Sequence, residues 1–209
     1  MGVVKSTETR TEGRGRGRPG GPGYAEYLLV VYPYGDLQDR LLEEQQQFST
    51  DYGLDQGLRR MVRNKPHITL AAFQAGEEVE DTLIRWIQRI CHPHRSFEIA
   101  LNNYSGIPPH TICLRVQDPE PLRELMQQLR AIDEFIRSSG WPPVNLACRP
   151  YLSIAGGLTE QVYNKAMPDY SRKTFHGIFR VGELVLLKRK HSFDPCQSVN
   201  VFRLLPGEI

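Results

Sequence analysis

Two stretches of this chain, KPHITLAAF at 65–73 and RPYLSIAGG at 149–157, follow one pattern: a basic residue, a proline, then alternating polar and aliphatic residues that run into small ones. In an extended strand successive side chains face opposite ways, so His67 and Thr69 share one face while Ile68 and Leu70 share the other. The same spacing groups Tyr151 with Ser153, opposite Leu152 and Ile154. Each stretch reads as a strand with an apolar face for a core and a two-residue polar face. A fold for this chain has to give both strands matching environments, and that excludes most topologies.

The surroundings repeat in outline too. Strand signals occur at AEYLLVVYP (25–33) and HITLAAF (67–73), with a helix over GDLQDRLLEEQQQFSTDYG (35–53) whose apolar positions are Leu37, Leu41 and Phe48. A second helix, EEVEDTLIRWIQRIC (77–91), is far more apolar through Leu83, Ile84, Trp86, Ile87 and Ile90, and is expected in the core. Strands follow at SFEIALNNY (96–104) and HTICLRVQ (110–117). PLRELMQQLRAIDEFIRSSG (121–140) reads as one strong helix stopped by Gly140 and Pro142. Then come a strand at YLSIA (151–155), a helix over 159–176 broken or kinked at Pro168, and strands in GIFRVGELVLLKRK (177–190) and SVNVFRLL (198–205). The predicted class is α+β: a bilobal, pseudo-symmetric duplication with two small, mainly antiparallel sheets lining a central cleft and helices outside.

Residues 1–23 differ from the rest. They are rich in Gly, Arg, Thr and Pro with almost nothing to bury, so a disordered tail is expected, followed by one bilobal domain over 24–209. RGRGRP within the tail resembles a minor-groove-binding hook, and MGVVKS fits a loose myristoylation pattern, but both patterns are short enough to arise by chance. The tail carries a net charge of +3, which leaves −1 for the remainder. Any nucleic-acid contact by the body must therefore be local rather than a broad basic footprint. No window approaches the roughly 20 apolar residues that span a bilayer, and no secretory core is evident, so a cytoplasmic location without membrane partners is the expectation.

Cys91, Cys113, Cys148 and Cys196 are scattered, with no Cys-x-x-Cys pair, which argues against a zinc ribbon or a redox centre. Cys91-His92-Pro93-His94 crowds three possible metal ligands but has no second cluster at a matching spacing, so a helix terminus is expected there and no metal. His110 and Thr111 are adjacent and face opposite sides of a strand, so they cannot form a paired unit, and His110 is expected to be structural or loop-exposed. His176 is expected to cap helix carbonyls, and His191 sits in a basic turn that can touch an RNA backbone. Asn103-Tyr104-Ser105 matches a glycosylation sequon that a cytoplasmic chain would not use.

A histidine and a hydroxyl two residues apart on a strand form a compact phosphate-handling unit. The imidazole moves a proton near neutral pH while the hydroxyl holds a phosphoryl oxygen. Two such units facing each other supply an acid and a base to a phosphodiester, with no metal or nucleotide cofactor needed. The paired PHITLA and PYLSIA motifs, in matching halves, resemble the two His-x-Thr/Ser signatures of the two-histidine (2H) phosphoesterase superfamily, which includes the bacterial 2′-5′ RNA ligase and 2′,3′-cyclic phosphodiesterase proteins. The resemblance covers about residues 25–205, and it implies a bilobal fold acting on 2′,3′-cyclic phosphate or 2′-5′-linked RNA ends or nucleotides. It makes His67 a general acid/base and gives Thr69 and Ser153 the phosphate oxygens. Lys65 and Arg149, which precede the two prolines, add positive charge at the rim.

Tyr151 stands where the second histidine belongs. With tyrosine titrating near 10, only about one phenol in a thousand is ionised at pH 7, so Tyr151 is a poor base yet still a competent donor. Facing the phosphate and plain packing are both open to it. The alternatives at this point are a weakened or specialised phosphoesterase and a non-catalytic module that binds phosphorylated RNA ends or nucleotides. No obligate protein partner is evident.

Overall fold

The alternation read from the sequence sets the layers of the computed structural model, which describes residues 23–53, 65–117, 119–191 and 194–207. The tail readings at residues 1–22 lie outside the described residues. Strand β1 (Tyr24–Val31) buries Ala25, Tyr27, Leu29 and Val31 on the helix side. The 3₁₀ turn Glu77–Val79 links β2 (Ile68–Gly76) to helix α2 (Glu80–Cys91), and α1 (Asp36–Asp51) precedes β2. Next come β3 (Phe97–Ile107), β4 (Thr111–Val116), α3 (Glu120–Gln128) and α4 (Arg130–Ser138). The chain finishes with β5 (Asn145–Leu146), β6 (Tyr151–Ala155), α5 (Glu160–Tyr170), β7 (His176–Val181), β8 (Glu183–Arg189) and β9 (Gln197–Arg203). No described helix is long and apolar enough to cross a membrane.

The strands pair antiparallel in the order β7-β3-β4-β6-β2-β1-β8-β9, with the short β5 also on β2. This path consists of two four-stranded units, and the expected duplication is visible in it. The motif strands β2 and β6 are the inner strand of each unit. They meet through one residue pair, Ile68 opposite Leu152, so the two small sheets run on as one curled sheet. Strands also cross between halves: β3 joins the β6 unit and β8 joins the β2 unit. Helix α1 packs on β6 and β7, α2 on β9, and α5 on β3 and β4, so the main core lies on the helix side. A second, small cluster of Val30, Val185 and Leu187 covers part of the opposite, concave face.

Both residues of the joining pair are fully buried. Shortening Ile68 to valine is expected to cost about 1 kcal/mol of stability. Urea unfolding checks this, and a single transition shifted without a change in slope would show the halves unfolding together.

Three details depart from the sequence reading. The helix expected over 121–140 is two nine-residue helices divided at Leu129, where the Ile132 N–H donates to the Leu129 carbonyl and tightens one turn. Trp86 is not in the core: α2 buries Leu83, Ile87 and Ile90, while Trp86 is on the exposed side, stacked on Phe135 at 6.2 Å. Pro168 lies in the last turn of α5 without breaking it, and the helix ends at Tyr170.

Candidate active site

The pair Ile68/Leu152 places both motifs on one surface. Since Ile68 and Leu152 point into the core, their neighbours His67, Thr69, Tyr151 and Ser153 point to the concave face. Extending the antiparallel register by one residue sets His67 opposite Ser153 and Thr69 opposite Tyr151. His67 and Tyr151 are then diagonal neighbours, which in such a ladder are roughly 7–8 Å apart at the backbone, the span of one phosphate between two side chains. All four line one cleft of about 850 Å³, with Lys65 and Arg149 also in its wall. Every site residue expected from the sequence is brought together there.

His67 sits just before the first residue of β2. Its Nδ1 is 2.8 Å from the Lys65 carbonyl oxygen. A carbonyl only accepts, so Nδ1 carries the proton and Nε2 keeps its lone pair. The ring packs edge-on against Tyr32, with centroids 5.9 Å apart, and the Lys65 ammonium lies 4.5 Å above the Tyr32 ring. Burial lowers the His67 pKa from its usual value; the Lys65 carbonyl opposes this and the Arg189 charge reinforces it. The imidazole is therefore neutral at pH 7, with a basic nitrogen free.

Tyr151, at the start of β6, is 40% exposed in the cleft. Burial of its phenol, followed by the neighbouring Cys113, raises its pKa above the usual 10. It stays protonated across the physiological range, as a donor. Cys113 is the cross-strand partner of Ser153, and burial pushes its thiol up to about 11. After β6 the chain turns through Gly156 and Gly157, both lining the cleft, and Gly157 has φ +66, a conformation that side-chain-bearing residues rarely adopt.

Three lining residues escaped the sequence reading. Arg189, on β8, is held by Glu26 directly opposite on β1 through Nε and a terminal nitrogen at 2.8 and 3.0 Å. Within LKRK it looked like the end of a strand, and only the β1–β8 pairing turns it toward the site. Tyr32 follows Leu28 and Val30 at period two beyond the end of β1, a signal that was available. Gln45 occupies the apolar stripe of α1 between Leu41 and Phe48, and a polar residue on such a stripe is a legible anomaly. Its Nε2 donates to the Ser153 carbonyl at 3.2 Å, anchoring the second motif to the first half.

The remaining histidines lie outside the cleft wall. His110 is exposed in the turn before β4, where Nδ1 donates to the Leu158 carbonyl 3.1 Å away. His94 is buried, 3.1 Å from the Gln128 side-chain oxygen, and Cys91 closes α2 with its thiol pushed up to about 12 by burial. His176 caps no helix and instead opens β7, its carbonyl accepting from Arg40. His191 is exposed in the turn between β8 and β9. All four cysteines are free.

A family model for the 2′-5′ RNA ligase superfamily matches residues 37–192, a span that holds both motifs. Among solved structures, E. coli LigT complexed with 3′-AMP aligns at a TM-score of 0.62 and 17% identity, covering 87% of this chain and 98% of LigT. The protein TT0787 of Thermus thermophilus aligns at 0.60 and 15%, covering 88% of this chain and 100% of TT0787. A further crystal structure, of a phosphoesterase, aligns at 0.59 and 16%, covering 87% and 98%. At such identities the likeness is one of fold. Comparison with curated protein sequences finds no match.

Proposed function

The chain belongs to the 2′-5′ RNA ligase superfamily of two-histidine phosphoesterases, and from that premise we propose that it cleaves 2′,3′-cyclic phosphates or 2′-5′ linkages at RNA ends or on nucleotides, with His67 as base and Tyr151 as acid. The observation that carries this reading is the Ile68/Leu152 register, which turns two acid/base positions and two hydroxyls toward one cleft. The opposite displacement of the two pKa values supports the assignment of roles. The imidazole is held neutral and the phenol protonated, a division that suits one group to accept and the other to donate. Nucleotide complexes of the similarly folded E. coli LigT, with 3′-AMP and with ATP, agree with a cleft of this size taking a nucleotide.

In this mechanism His67 Nε2 takes a proton from water as the water oxygen attacks phosphorus. One ribose P–O bond breaks, and the Tyr151 hydroxyl protonates the departing alkoxide, leaving a phosphomonoester and a free ribose hydroxyl. An alkoxide is a stronger base than a phenolate, so that transfer runs downhill. A proton then returns from the imidazolium to the phenolate through solvent. Thr69 and Ser153 hold the non-bridging oxygens, while Lys65, Arg149 and Arg189 supply positive potential at the wall. Because acid and base are both side chains, the reaction needs no metal.

Hydrolysis of a 2′,3′-cyclic nucleotide, followed by phosphomonoester release, tests the reading. Turnover is expected to survive EDTA, and Ser153→Ala is expected to lower kcat/KM about tenfold through one lost hydrogen bond to a charged phosphate. Tight nucleotide binding without turnover would make the protein a binding module.

A further inference from the structure

The cleft does not end at His67. Tyr32 and Lys65, which border it there, also line a second cavity of about 460 Å³ where the ends of β1, β7 and β9 converge. Contact with the Tyr32 ring holds the Lys65 ammonium at this passage. Two more cations line the second cavity, Arg180 on β7 and Arg203 on β9. The strand register sets Glu98 opposite Arg180 and Glu183, the one carboxylate among the described lining residues, opposite Arg203. Even so, neither arginine has an ion-pair partner among the described residues. Tyr34 borders the same cavity with 59% of its surface exposed, next to Ile178 at 65%.

Exposed aromatic and apolar surface interleaved with unpaired cations is the composition of a single-strand nucleic-acid path, in which bases stack and the backbone is neutralised. The other extension of the cleft, past Leu146–Cys148, lacks it: among the described residues no aromatic side chain lines that groove, and one of its arginines, Arg123, is paired with Glu120. A 2′,3′-cyclic phosphate exists only on a terminal ribose, so any polymer bearing it is RNA that continues in the 5′ direction. With the terminal phosphate between His67 and Tyr151, the neighbouring nucleotides need a way out of the cleft. The surface of Tyr32 and Lys65, which both cavities share, provides one.

We propose that this second cavity binds the RNA strand 5′ of the reacting phosphate, with a nucleobase stacked on Tyr34 and backbone phosphates met by Lys65, Arg180 and Arg203. The proposal rests on the phosphoesterase reading of the cleft, and it makes the substrate a single-stranded RNA end rather than a mononucleotide.

The test compares a short oligoribonucleotide ending in a 2′,3′-cyclic phosphate with the 2′,3′-cyclic mononucleotide. The wild-type protein is expected to prefer the oligonucleotide in kcat/KM by at least about tenfold, and Tyr34→Ala is expected to remove most of that preference while leaving the mononucleotide rate unchanged. The double variant Arg180→Ala, Arg203→Ala is expected to lower the log–log salt dependence of oligonucleotide binding by about 1.4, two phosphates at roughly 0.7 each. Binding is read separately, by fluorescence anisotropy with a labelled oligoribonucleotide carrying a 3′-phosphate, and requires no turnover. If no substrate is turned over but Tyr34→Ala weakens this binding, the catalytic reading fails and the RNA path stands. Equal affinity of wild type and both variants for the oligonucleotide, or equal losses on both substrates, would overturn the path.

Discussion

Replacing His67 with alanine is expected to lower kcat on a 2′,3′-cyclic nucleotide by about 10²- to 10⁴-fold, the usual contribution of a positioned general base. What decides this is which nitrogen is free. The Lys65 carbonyl fixes the proton on Nδ1 and keeps Nε2 available, and burial holds the ring neutral at pH 7. No other described residue lining the cleft duplicates this. Its other titratable groups are two phenols, two thiols, the Lys65 ammonium and the Arg149 and Arg189 guanidinium groups, none of them an imidazole. Because His67 lies at a strand end, only partly buried and outside the main core, the variant is expected to fold normally with nucleotide affinity reduced far less than kcat. Unchanged turnover in His67→Ala would remove His67 from the chemistry.

The opposite change is expected at the other motif. Tyr151→His is expected to raise kcat by about 10²-fold, because a general acid works best when its pKa lies near the working pH, and the phenol is displaced above 10. At 40% exposure the site can accept the smaller ring without emptying a packed core. Histidine there would also restore two like groups facing one phosphate. Should the wild type bind nucleotide without turnover and only Tyr151→His be active, the natural protein is a binding module that lost its acid.

How much of this was legible in the sequence depended on range. The period-two alternation in HITLAAF and YLSIA was enough to group His67 with Thr69 and Tyr151 with Ser153, since a strand leaves no other arrangement. The repeat of that pattern in matching halves implied a shared cleft, and the antiparallel join at Ile68/Leu152 makes one. What stayed hidden was set by pairings between distant segments. Arg189 faces the site only because β8 pairs with β1, 163 residues from its partner Glu26. Gln45 reaches Ser153 only because α1 packs across the seam onto the other unit. The helix over 121–140 carried an unbroken apolar stripe, yet a single tightened turn at Leu129 divides it, and no glycine or proline marks that position. Trp86 was misplaced for a different reason: an apolar side chain says it prefers burial, not that the helix turns that face inward.

The pairing of a neutral histidine base with a protonated tyrosine acid is exposed most plainly by the pH dependence of kcat/KM for wild-type hydrolysis of a 2′,3′-cyclic nucleotide. The base must be deprotonated, so activity is expected to fall only as pH drops through a His67 pKa that lies below the usual 6.5. The acid must be protonated, so the alkaline fall is expected only above the ordinary tyrosine value of about 10. The expected profile is a broad plateau between these limits, narrowing to a bell near neutrality in Tyr151→His. A wild-type profile that is already a narrow bell between about pH 5 and 8, or one that climbs steadily through pH 10 as a phenolate forms, would rule that pairing out.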